Sequence, residues 1–140
     1  DLRINYSSEN LKDKVKELTN GKGADVIYDP VGGDFSEQAF RAIAWDGRFL
    51  VIGFASGPIP KMPLNLALLK GASMIGVFWG AWSSRDPRGS QQNFKELVEM
   101  IDGGQFTPQV TEVYDLEDHE SAFASIAERR AKGKVILSMR

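Results

Sequence analysis

The 140 residues are 42% apolar and 26% charged, with a formal charge of −2 from 17 basic and 19 acidic side chains; this suits one domain with a real core and gives no sign of disorder. The basic residues are scattered and no apolar run approaches the roughly 20 residues that span a bilayer, so neither nucleic acid nor membrane is an expected partner. Cysteine is absent and His119 is the single histidine, which rules out disulfides and leaves a zinc site to be built almost entirely from carboxylates.

No charged-then-apolar leader opens the chain, and a soluble, cytosolic protein is expected. The chain starts on Asp1 and reads as strand almost at once. That pattern suggests a fold entered partway through, an excised fragment or a processed piece. Arg3 to Tyr6 is predicted as a strand end, with Ser7 or Ser8 capping a helix whose apolar face carries Leu11, Val15 and Leu18. Gly21 and Gly23 stop it, and Ala24 to Val31 follows as a strand apolar enough for burial on both faces. Pro30, which has no amide hydrogen, ends its ladder.

Phe35, Ala39, Phe40 and Ile43 predict a second amphipathic helix, closed by Trp45-Asp46-Gly47 before a strand from Arg48 to Phe54. Beyond a proline-bearing loop, Asn65 to Lys70 reads as a short helix and Ser73 to Trp79 as a strand. Strand starts near positions 3, 25, 48 and 73 are roughly two dozen residues apart, the length of a strand plus a crossover helix. Trp82 to Ser90 is predicted as a polar, flexible loop. A helix with Phe94, Leu97, Val98 and Ile101 inward follows, ended by Gly103. Gln109 to Tyr114 alternates as a half-exposed strand, and Asp118 is the expected cap of a last helix burying Ala122, Phe123 and Ile126. Gly133 ends that helix before Lys134 to Leu137, and no internal domain boundary is apparent.

The motifs INYSSENLKDKVKELT, ADVIYDPVGG, WDGRFLVIGFASG, PLNLALLKGASMIGVFWG and GKVILS occur in this order. In that register the chain resembles the zinc-independent quinone oxidoreductases of the medium-chain dehydrogenase/reductase superfamily, in particular their quinone oxidoreductase-like branch. The resemblance implies an α/β fold: the second half of a Rossmann-type, doubly wound parallel coenzyme domain, plus a carboxyl-terminal helix and strand return segment. The glycine-rich GxGxxG turn and the catalytic domain are absent from these residues. The implied cofactor is NADP(H), with NAD(H) the less favoured choice, and no metal. The implied substrate of the full-length protein is a quinone, enone or activated carbonyl, and the fragment alone is expected to be inactive. The implied assembly is a homodimer through the strand Ser73 to Trp79.

On the resemblance, the cofactor-binding candidates are Tyr6, Val31, Gly32, Gly33, Gly53, Phe54, Ala55, Val77, Phe78 and Trp79. Most keep a second reading from the residues alone. Gly32 and Gly33 either admit a dinucleotide to the backbone or form a tight strand-to-helix turn, and Gly53 has the same two readings. Val77, Phe78 and Trp79 would place backbone groups near the nicotinamide carboxamide while also forming the last strand, with packing alone as the other reading of Val77. Tyr6 either lies beside the adenosine ribose or is a surface hydrogen-bonding group. Asp29, the carboxylate at a strand's active end, is either an acid or base or a group that satisfies the backbone around Pro30. His119 reads as solvated, and no catalytic residue is assigned. A noncatalytic assembly module pairing through its edge strand is the competing function. A methyltransferase-like Rossmann domain shares the strand and glycine pattern without accounting for GFASG, GVFWG and GKVIL together.

Overall fold

The computed structural model describes residues 2–139. They divide into two units, one running to Ala81 and the other starting at Trp82, a boundary that composition does not mark. No helix among the described residues is long and apolar enough to cross a membrane.

The first unit holds helix α1 (Leu11–Leu18), strand β1 (Ala24–Asp29), helix α2 (Asp34–Arg41), strand β2 (Ile43–Val51), helix α3 (Leu64–Lys70) and strand β3 (Ser73–Gly76). The strands form one parallel sheet in the order β1-β2-β3. Parallel neighbours need crossovers, which α2 and α3 supply. The expected α/β architecture is therefore present. Its core is small: Phe40, Ile43, Phe49 and Leu66 are buried, with Ile27, Val51, Met62 and Met74 packed around them. Phe40 and Phe49 meet edge-on with centroids 5.5 Å apart, a geometry that adds about 0.5–1.5 kcal/mol to their burial.

Several expectations are corrected. Arg3 to Tyr6 is not a strand; Asn5 instead closes a turn in which its backbone N–H donates to Glu9 Oε2 at 2.7 Å and its carbonyl accepts from the amides of Ser8 and Glu9. The cap of α1 is Asn10, which accepts from the Asp13 amide, and not Ser7 or Ser8. Strand β1 stops at Asp29, and among the described residues its outer edge has no strand partner. Val26 and Tyr28, two residues apart and so on one face, are 44% and 66% exposed, where burial on both faces was expected. Ile43 belongs to β2 and not to the second helix. Strand β2 begins five residues earlier than the predicted Arg48 because Asp46, at φ 59°, allows an irregularity between the Ala24–Ile43 and Val26–Arg48 pairs.

Helix α4 (Trp79–Arg85) spans the boundary between the units, so β3 is shorter than predicted and the polar segment after Trp82 is largely helical. The second unit continues with α5 (Pro87–Asp102), β4 (Val110–Asp115), a 3-10 turn (Leu116–Asp118), α6 (His119–Ala127) and β5 (Lys134–Ser138). Asp86 caps α5 by accepting from the Gly89 amide, and Pro87 sits where its missing N–H costs nothing. None of the α5 residues is buried: the predicted inward stripe of Phe94, Leu97, Val98 and Ile101 is exposed. Strands β4 and β5 pair in parallel around α6. Asp118 occupies the N-cap of α6 without a side-chain cap bond, and Ala122 and Ser125 are buried there, whereas Phe123 and Ile126 are exposed.

Candidate functional site

At the carboxyl end of the sheet two loops leave adjacent strands and are laced together. The Gly53 and Ile52 amides donate to the Asp29 carbonyl at 3.3 and 3.0 Å, Ala55 donates to Pro30 at 3.1 Å, Ser56 to Val31 at 2.9 Å, and Gly33 to Pro58 at 3.2 Å. This is the position at which open parallel sheets bind ligands. Val31, Gly32, Gly33, Gly53, Phe54 and Ala55 are thus brought together.

Gly32 and Gly33 lie at φ +72° and +64°, in the region that favours glycine. A Cβ on Gly32 would stand 2.8 Å from the Phe54 ring, and one on Gly33 would stand 2.6 Å from Ser56 Oγ. Both glycines are therefore required by the contact between the two loops, whatever else binds there. Gly53 differs. Its φ is ordinary, and an added Cβ would meet only the Pro30 carbonyl oxygen, at 3.4 Å. Among the described residues no packing contact demands glycine at 53, and the space above its backbone is open.

Val77 follows β3, and its amide donates to the Val51 carbonyl at 3.0 Å. It therefore faces β2 and not a partner strand. By alternation along a parallel strand, Gly76 carries the outward-facing amide. Phe78 and Trp79 are exposed, and Trp79 opens α4 where a strand end was expected. Tyr6 is not at a strand end either; it packs edge-on against Phe35 of α2 with centroids 5.0 Å apart.

Asp29, left between two roles by the sequence, is committed to the backbone. Its Oδ1 accepts from the amides of Val31 and Gly32 at 2.9 and 3.0 Å, and its Oδ2 accepts from Ser36 Oγ at 2.6 Å. The acceptance from the amide two residues on is an Asx turn, a signal present in the sequence. Its link to the buried Ser36, seven residues on, had no local signature. An open cavity of about 530 Å3 lies beside this turn, lined by Gly33, Asp34, Glu37 and Arg41 on the α2 side and by Pro58 and Lys61 opposite. Of the predicted site residues only Gly33 borders it, and Arg41 is already paired with Glu37 at 2.6 Å.

A second polar cluster, unanticipated, lies in the second unit. Glu112 Oε2 accepts from Tyr114 Oη and from the buried Ser125 Oγ, each at 2.7 Å. The Tyr114 hydroxyl, followed by that of Ser125, holds the Glu112 carboxyl below its ordinary range, and the same carboxylate pushes the Tyr114 phenol up. His119 Nδ1 lies 3.1 Å from the Leu116 carbonyl oxygen. Among the described residues no group of three or more His, Cys, Asp or Glu side chains is placed to hold a metal.

Residues 1–137 match the family model described as zinc-binding dehydrogenase. The chain is 41% identical over 136 residues to a Nematostella vectensis protein named quinone oxidoreductase-like protein 2 homolog, covering 96% of this chain and 37% of that relative. Among solved structures, it is similar to a Pseudomonas syringae pv. Tomato DC3000 quinone oxidoreductase, with TM-score 0.81, 30% identity and coverage of 96% of this chain and 41% of that one. It is also similar to the Escherichia coli quinone oxidoreductase solved with NADPH, with TM-score 0.78, 27% identity and coverage of 96% and 42%. The chain thus spans about two fifths of the length of these proteins.

Proposed function

The chain belongs to the zinc-binding dehydrogenase family, and from that membership we propose that it forms part of an oxidoreductase that binds NADP(H), in preference to NAD(H), and reduces a quinone, enone or other activated carbonyl. The observation that carries the reading is the open backbone of Gly53, set between two loops laced at the carboxyl ends of β1 and β2. The similarity to a quinone oxidoreductase in complex with NADPH supports the choice of cofactor.

When bound, a nicotinamide supplies the hydride. The Val31–Gly33 turn and the Gly53–Ala55 backbone would receive and orient it, and the exposed Phe54 would shield one side from water. Val77 and Phe78, at the end of the third strand, would border the same mouth. Asp29 moves no proton in this account, because its oxygens already accept from three donors. None of the described residues is assigned a role toward zinc, since no group of three or more potential ligands is brought together among them. These 140 residues contain no GxGxxG turn to hold the diphosphate, so they are expected to be inactive alone.

We further propose a homodimer formed through the outer edge of β3. Ile75, Val77 and Phe78 make this edge too apolar to stand unprotected, and no proline or lysine interrupts it. The functional reading is tested by following NADPH oxidation by the full-length protein with a series of quinones and enones. Acceptor-dependent oxidation is the expected result, and its absence with both NADPH and NADH would overturn the reading.

A further inference from the structure

Asp29 is bonded to both glycine loops. Its backbone carbonyl accepts from Ile52 and Gly53, at the end of β2, while its side chain accepts from Val31, Gly32 and Ser36. Ser36, on the first turns of α2, is 1% exposed, so the hydroxyl that reaches Asp29 comes from inside the fold and water does not replace it. Three donors converge on one half-buried carboxylate, and charge-assisted bonds of this kind are the strong ones.

We infer that Asp29 is a positioning residue for cofactor: it holds the Val31–Gly33 turn at positive φ from behind, so that Gly32 and Gly33 stay seated against Phe54 and Ser56 and the space over Gly53 stays open. The inference rests on the reading of this site as nicotinamide-binding. Without the carboxylate, the Val31 and Gly32 amides lose their acceptor inside the turn. The flexible glycine pair then has less to hold it in one conformation, and the Phe54 loop, which is packed against Gly32, moves with it. Asp29 touches neither the cofactor nor the acceptor in this role.

The test compares wild type, Asp29→Asn, Asp29→Ala and Ser36→Ala in the full-length protein. NADPH affinity is measured by fluorescence titration well below each variant's melting temperature, alongside the pH profile of quinone reduction. Asp29→Ala should weaken NADPH binding about tenfold, while Asp29→Asn, which keeps an oxygen for the two amides, should stay within about threefold of wild type and keep its pH profile. Should Asp29→Ala fail to fold, Ser36→Ala decides, with a loss of about threefold expected from one missing donor. Unchanged affinity in Asp29→Ala, or in Ser36→Ala where that variant decides, would overturn the positioning role and leave the cofactor site standing. A displaced pH profile in Asp29→Asn would overturn it in favour of proton transfer. Failure of the wild type to bind either nicotinamide dinucleotide would instead remove the functional reading, and the positioning role with it.

Discussion

Gly32 and Phe54 are in such close contact that a single added carbon on Gly32 would stand 2.8 Å from the Phe54 ring and 3.2 Å from its Cα. The two residues leave different strands, so this contact sets the separation of the two loops. Gly32→Ala has to resolve both the clash and a φ of +72°, and should cost about 1–3 kcal/mol of stability. Chemical denaturation reads the cost directly. A stability within error of wild type would show that the loops yield freely.

Gly53 should respond in the opposite way. Because only the Pro30 carbonyl lies near its missing Cβ, Gly53→Ala should leave the melting temperature within a few degrees while weakening NADPH binding in the full-length protein. Gly53→Val should weaken it further, by about tenfold or more, as a branched side chain fills the ligand's space. Collapse of stability with unchanged affinity of the folded fraction would make Gly53 a packing residue.

The Glu112 cluster gives a pH prediction with a definite sign. Folding lowers the carboxyl pKa through the Tyr114 and Ser125 hydroxyls, so the stabilisation is fully present above the ordinary glutamate range and is lost as the pH falls through the lower folded-state value. Wild type should therefore lose its advantage over Glu112→Gln on acidification. Denaturation midpoints for the two proteins across a pH series provide the check. A difference independent of pH would remove Glu112 from the account of acid stability.

Much of the fold was legible because each signal was local. Asp29-Pro30 ended a strand, Gly103 ended α5, and Phe40 and Phe49 were apolar at the right periods. What failed was the step from an apolar face to its burial. Val26, Tyr28, Phe94 and Phe123 sit on patterned elements yet are exposed. Periodicity says that a face is apolar and not which element covers it. Arg3 to Tyr6 has strand-like residues but no neighbouring strand among the described residues, and the Asn5 turn satisfies its backbone instead. The candidate site was legible as glycines at strand ends. That Gly32 and Gly33 answer to Phe54 and Ser56, and Gly53 to the Pro30 carbonyl alone among the described residues, required the three-dimensional contacts.

The dimer proposal gains a sharper test from the direction of the backbone. A proline at Val77 would break the internal bond to Val51 and confuse two effects. A proline at Gly76, whose amide faces outward and whose added Cβ would meet nothing within 4 Å, removes only an intermolecular bond. Gly76→Pro should shift a dimer toward monomer at an unchanged melting temperature of the dissociated protein. Light scattering that shows a monomeric wild type at micromolar concentration would refute the dimer outright.

The most direct test of the cofactor site is a crystal structure of the full-length protein with NADPH. The account predicts the nicotinamide ring over the Gly53–Ala55 backbone, bordered by the Val31–Gly33 turn and by Val77. A dinucleotide bound elsewhere, with Gly53 and Gly33 untouched, would contradict it.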